Sequence, residues 1–359
     1  MTVFQLRSLL ASACVLLLAA CSEPSPIFHE TERPLRLSDW NLFDIQTMTL
    51  IPSESSVVFQ PNNPLFTDYA HKLRTLWIPT GLRAAVAGDE IEYPVGTVLS
   101  KTFYYPRASN SSLLKATDAG AQQITLDDNQ LIETRLLVRK SDGWDAFPYV
   151  WNDEQSEAFL RVAGASKSVS LAEPAAQTVD FSYFVPNENQ CAGCHITMHP
   201  DGDMHPLGAI LSQLATAQGS ALEQMIAKGW IEDSSGFTQN ASWQDESAAL
   251  TDRALAYLNM QCGHCHNPNG AADTSGLILD SSTTAAINRG VCKPPVAAGG
   301  GTGNLRYGIV PGQPEQSILL YRMHSTAPDE MMPELGRSLI HDEGVELISR
   351  WIEEMPGSC

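Results

Sequence analysis

The chain has 359 residues, with 41 acidic side chains against 22 basic ones and a formal net charge of −19 at pH 7. That balance argues against nucleic acid or an anionic membrane face as a partner. It favours docking on a basic patch of another protein, or solubility of an exported surface. After the first twenty residues, no stretch reaches the ~20 apolar residues needed to span a bilayer.

Residues 1–20 combine Arg7 with an apolar run from Leu9 to Leu18, too short to cross a membrane, and predict a signal peptide. Leu18-Ala19-Ala20-Cys21 resembles the lipobox of bacterial lipoproteins, in which the cysteine takes a diacylglycerol and becomes the new N-terminus. Cys21 is therefore the expected anchor, because several acyl chains on one residue hold where a single chain is marginal. Ordinary cleavage after Ala19 or Ala20 would leave Cys21 unexplained. Ser22 resembles the outer-membrane sorting pattern, so the expected location is the cell envelope, at the outer membrane facing the periplasm. Residues 21–38, with Pro24, Pro26 and Pro34, read as a tether.

From 39 to 185 the pattern is β. Runs such as Thr97-Val98-Leu99-Ser100-Lys101-Thr102-Phe103-Tyr104-Tyr105 and Ile132 to Val138 are β-branched or aromatic, and Pro61-Asn62-Asn63-Pro64 and Ser141-Asp142-Gly143 are turn signals. An antiparallel sheet or barrel is expected. Trp144, Phe147, Tyr149 and Trp151 read as one buried strand face, with a ligand-pocket wall as the alternative. His71 and Lys101 read as surface residues.

Two pentads follow: Cys191-Ala192-Gly193-Cys194-His195 and Cys262-Gly263-His264-Cys265-His266. Thiols at this spacing can form thioethers with the two vinyl groups of one haem while the adjoining histidine reaches the iron. Zinc is the competing reading, but it has no need of a histidine after both second cysteines. A thioredoxin-type dithiol gives no reason for a second pair. Residues 186–240 thus form a first haem-attachment segment. In 241–359, Leu250, Ala254, Tyr257 and Leu258 recur at helical spacing ahead of Cys262, and Val345, Ile348, Trp351 and Ile352 form a closing stripe. The expected fold is α+β: an antiparallel β-rich domain, then an α-helical cytochrome c-like haem domain carrying the second haem.

An electron-carrying haem needs a second axial ligand, and Met332, followed directly by Pro333, lies in a polar loop ahead of the closing stripe. Met331 is its rival. For the first haem, Met204 and His205 are candidates, and His71 or the β-domain aromatics are alternatives that would leave the position open. Cys292 and Cys359 are left over, and a disulfide between them suits an oxidising compartment. Gly299-Gly300-Gly301-Thr302-Gly303 lacks the Lys-Ser or Lys-Thr of a phosphate loop and reads as a surface turn.

With both pentads and the Met332 loop in view, the chain resembles a family of exported bacterial diheme c-type cytochromes with two Cys-x-x-Cys-His motifs. Its most specific stretches are Asn187 to His195, Val291 to Gly299, Ile309-Val310-Pro311-Gly312-Gln313-Pro314 and Met332 to Ser338. The resemblance implies two covalently attached haem c groups, single-electron transfer with a redox partner protein, and a structural pairing of Cys292 with Cys359. It supplies no substrate. The β domain also resembles single-haem periplasmic cytochromes built on a sheet, in which the distal haem face can be open. A diheme reductase or peroxidase is therefore the alternative expectation.

Overall fold

The computed structural model describes residues 25–173, 177–215, 220–232 and 240–359. The expected signal peptide and the expected lipidation site, Cys21, lie outside them. No helix among the described residues is long and apolar enough to cross a membrane.

The strands are β1 (Phe43–Gln46), β2 (Thr49–Pro52), β3 (Val57–Phe59), β4 (His71–Trp77), β5 (Ala85–Ala87), β6 (Glu90–Glu92) and β7 (Val98–Pro106). After them come β8 (Leu113–Leu114), β9 (Ile124–Thr125), β10 (Asn129–Lys140), β11 (Gly143–Trp151), β12 (Ala158–Leu160), β13 (Ala165–Ala172) and β14 (Thr178–Val185). The helices are short: α1 (Glu188–His195), α2 (Leu211–Leu214), α3 (Ala221–Ala227), α4 (Leu250–Leu258), α5 (Ile318–His324) and α6 (Asp342–Glu353).

The centre is a six-stranded antiparallel sheet in the order β12-β11-β10-β7-β4-β3. Side chains alternate between its faces. On one face Leu73, Trp77, Tyr104, Leu136, Phe147, Tyr149 and Trp151 form a core with Trp40, Leu50 and Ile124, which the small sheet β1-β2-β9 helps to supply. Phe147, Tyr149 and Trp151 are thus the buried strand face read from their alternation, while Trp144 points to the opposite side and joins a different core.

That opposite face carries three rows. Leu76, Leu99 and Leu137 are cross-strand partners and pack under α2 and α3 through Leu211, Leu214, Leu222 and Met225. At the other end, Phe103 and Val150 pack against Leu171 and Tyr183 of the β14-β13-β8 sheet. Between them runs a polar row, Arg74–Lys101–Arg135.

The expected α+β division is corrected by the structure: the molecule is β-rich, and residues 241–359 do not form an α-helical cytochrome c-like domain. The α-helices there are α4, α5 and α6, spanning only 9, 7 and 12 residues. The periodic stripes are real but brief. Between them, Pro294-Pro295 and the glycines from 299 onward interrupt the helical pattern, and turns and isolated bridges such as Val291 with Ile309 satisfy the backbone instead. Cys292 and Cys359 are disulfide-bonded, Cα to Cα 5.3 Å, and tie the C-terminus to this segment.

The loop between β3 and β4 fastens the C-terminal segment to the sheet. The Asn63 side-chain amide donates to Ala241 O at 3.0 Å, and its Oδ1 accepts from the Trp243 amide at 2.9 Å. Gln261 donates to Pro64 O and accepts from the Phe66 amide, both at 2.9 Å. Asp68, only 2% exposed, accepts from the amides of Ser338 and Leu339, both at 2.7 Å. Burial raises the Asp68 carboxyl from 3.8 to about 6, against the lowering effect of those amides and of Arg337. The folded state therefore holds this proton more tightly than the unfolded chain, so the associated stability is present at low pH and lost as pH rises through about 6. Asp68→Asn keeps the acceptor oxygen and removes the titration. In urea denaturation, the stability of wild type relative to Asp68→Asn is expected to fall between pH 4 and pH 6 and to level off above 7. A flat difference would show that Asp68 is not the buried acid.

Candidate haem-attachment centre

The first pentad lies on α1. Asn187 caps it: its side chain accepts from the Gln190 amide while the Gln190 side chain accepts from the Asn187 amide. Cys191, Cys194 and His195 all belong to this one helix, which is laid against the sheet after β14. The second pentad starts where α4 widens into a π-type turn over Asn259–Gly263, placing Cys262 at the turn and Cys265 and His266 beyond it.

Both histidines are held in one tautomer. The His195 Nδ1 lies 2.7 Å from His205 O, and a carbonyl only accepts, so Nδ1 carries the proton. The His266 Nδ1 lies 3.0 Å from Ser275 Oγ, whose own proton goes to Ala272 O at 2.6 Å, so this Nδ1 is again the donor. Burial pushes both imidazoles down to about 4, keeping them neutral near pH 7. Each Nε2 is left with a free lone pair, which is how a protein prepares a histidine to bind a metal.

Two adjoining cavities open on these side chains. The first, about 190 Å³, is bounded by the polar face of the sheet and by Cys191, Cys194 and His195. The second, about 610 Å³, is bounded by Cys262, Cys265 and His266. Cys194, Cys262, His264, Met323 and Met332 border both. Each cavity thus has a complete Cys-Cys-His set along its wall, the donor set that covalent attachment of a haem would use.

Between the cavities, ligand atoms of Cys194, His264 and Cys265 lie within 4.8 Å of one another, the only such cluster among the described residues. A hydrogen bond between the two sulfurs pushes the Cys194 thiol down and the Cys265 thiol up. Cys262 is pushed up to about 12 by burial.

Met332 borders both cavities, and Met331 borders neither; the Met331 amide donates to Ala327 O at 2.8 Å. Met204 packs at the edge of the core around α2 and α3 and lines neither cavity. His205 gives its backbone carbonyl to His195 Nδ1, and the residue borders neither cavity. His71 bonds Ala116 O from the far end of β4, at 3.1 Å, and borders neither cavity.

Three features escaped the sequence reading. Lys101, read as a surface residue, faces the first cavity beside Arg74 and Arg135; its strand register, invisible in the sequence, puts it there. His341 borders the same cavity, stacked on Phe66 at 4.2 Å with its Nδ1 2.9 Å from the Tyr257 hydroxyl. His264, hidden among the variable positions of the pentad, has a buried Nδ1 with no hydrogen-bond partner among the described residues.

Comparison with protein-family models, curated proteins and solved structures finds no match for this chain.

The Met332 loop is held by one buried side chain. Arg337 donates to Met332 O from Nε at 3.1 Å and from Nη2 at 2.9 Å, and also to the carbonyls of Leu339 at 3.1 Å and Ser325 at 2.8 Å. A planar guanidinium spreads its donors over several carbonyls, a geometry that an ammonium cannot copy. Arg337→Leu is expected to lower unfolding free energy by roughly 2–4 kcal/mol, because it orphans several buried acceptors. Arg337→Lys should recover only part of that loss. Equal stability of all three proteins in urea denaturation would show that the loop is held otherwise.

Proposed function

We propose that this protein is an exported, lipid-anchored diheme c-type cytochrome that carries single electrons to or from a periplasmic or outer-membrane partner. The observation that carries the reading is the pair of complete Cys-Cys-His sets on adjoining cavities, each with its histidine Nδ1 bonded and its Nε2 free. In this reading Cys191 and Cys194 hold haem one and Cys262 and Cys265 hold haem two, with His195 and His266 as proximal ligands. When bound, the haem irons supply one-electron redox chemistry.

The chain's own residues do the remaining work. His205 O and Ser275 Oγ orient the imidazoles. The Cys194 and Cys265 sulfurs lie within 4.8 Å of one another, which supports the reading because short separations favour electron transfer between centres. Met332 is proposed as the second ligand of the His266 iron, its thioether favouring the ferrous state. Arg337 fixes the loop that presents it. The net charge of −19 suits a partner with a basic docking patch.

One observation favours a second reading. Cys194, His264 and Cys265 supply two sulfurs and an imidazole in one place, three of the four ligands of a tetrahedral zinc site. That reading leaves Cys191, Cys262, His195 and His266 without a task.

Expression alongside a cytochrome c maturation system, followed by intact mass, separates the two readings: two covalent haems are expected, whereas a haem-free chain retaining zinc would overturn the proposal. In ferric optical spectra, the methionine-to-iron charge-transfer band should vanish in Met332→Ala and persist in Met331→Ala. A high-spin haem persisting in every variant would instead make haem one an open site and favour a diheme reductase or peroxidase.

A further inference from the structure

The charge of the first cavity opposes that of the whole protein. The chain carries 41 acidic and 22 basic side chains, yet Arg74, Lys101, Arg135 and Arg337 border this cavity and no aspartate or glutamate among the described residues does. Arg337 is spent on backbone carbonyls. The other three form the middle row of the sheet face: Arg74 and Arg135 are the direct cross-strand partners of Lys101 on either side. Like charges directly opposite one another oppose sheet formation. Hydrophobic rows close both ends; Arg74 is buried, and Lys101 and Arg135 are half-buried.

Compensation within the row is incomplete. Arg135 has a two-point contact with Glu133, at 2.8 and 2.6 Å, and Glu133 also accepts from the Tyr183 hydroxyl at 2.7 Å. Arg74 donates to Gln60 Oε1 at 2.6 Å, and the Asp118 carboxylate draws on it from outside the cavity. Lys101 has neither hydrogen bond nor ion pair among the described residues; its ammonium lies 5.3 Å from the centre of the Phe103 ring. Burial, then Arg74, Arg135 and Lys72, press its ammonium well below the ordinary lysine range, and the Glu133 carboxylate, already bonded to Arg135 and Tyr183, opposes them only in part. A cation kept here without an anion of its own in contact is a cost that the fold gains nothing from.

We propose that the Arg74–Lys101–Arg135 row is an anion seat of the first cavity, taking a carboxylate or a small oxyanion of similar shape with Lys101 as its direct contact. Two sources have that chemistry: a propionate of haem one, which rests on the reading above, or a diffusible anion such as formate or nitrite, which does not. Arg74 and Arg135, each already anchored, flank the ammonium and set its charge.

The test uses the full chain from the maturation host, as wild type, Lys101→Met and Lys101→Arg. Intact mass is recorded first, so that failure of haem attachment is seen separately from failure of the seat. Thermal melting is then followed while formate or nitrite replaces chloride at constant ionic strength. Saturable stabilisation of wild type, lost in Lys101→Met and retained in Lys101→Arg, supports the seat and assigns it to a diffusible anion. If added anions do nothing, resonance Raman propionate bending modes and the potential of each haem decide. A shifted propionate mode in Lys101→Met, together with a threefold or greater change in the oxidised-to-reduced ratio of one haem at fixed potential, restored in Lys101→Arg, supports the propionate source. Should Lys101→Met equal or exceed wild type in melting temperature, with anion response, Raman modes and potentials unchanged, the proposal is overturned. A haem-free protein confines the question to the anion titration, where absence of stabilisation likewise overturns it.

Discussion

The two pentads are distant in the chain, and their meeting depends on how the loop between β3 and β4 grips the C-terminal segment. Asn63, Gln261 and Asp68 are buried polar side chains, each bonded to backbone groups across the joint. Such groups are costly unless satisfied in a single geometry, so they specify one arrangement where an apolar contact would tolerate several. α4, the Met332 loop and α6 are thereby laid over the sheet face that also receives α1. The cavities and their shared wall are consequences of that docking.

Within the docked structure, the order at the histidines is cheap in residues. One carbonyl and one serine suffice to fix two tautomers, because each partner can act in only one sense: a carbonyl has no proton to give, and the serine proton is already committed to Ala272. Burial then keeps both rings neutral without any further charge. The same burial that suits an imidazole is adverse for an ammonium: Lys72 of the same sheet gives its proton to Ala70 O, whereas the Lys101 ammonium has no hydrogen bond among the described residues.

The β-rich character of residues 39–185 was legible because alternation over long strands such as β7 and β10 is a strong signal. The short helices were legible too, from the stripes at 250–258 and 345–352. Their sum was misread: brief amphipathic stripes beside haem-type motifs suggested a helical domain, whereas the intervening glycine- and proline-rich chain folds as turns and bridges cross-linked by Cys292 and Cys359. Met332 was preferred to the adjacent Met331 for the proline that follows it, and the structure adds that Met332 borders both cavities and Met331 neither.

Sequence by itself determined the chemistry on offer: two Cys-x-x-Cys-His pentads, the methionine pair, the surplus cysteines and the acid excess, since these follow from residue type and short spacing. It also determined the strand alternation, since that period is local. Tertiary structure alone decided that Cys194 and Cys265 converge, that Met332 borders both cavities, and that Arg74, Lys101 and Arg135 line up on one face of the sheet. Each of those depends on the register between strands and on docking between segments far apart in the chain, and pairing of that kind leaves no mark in the spacing of residues along it.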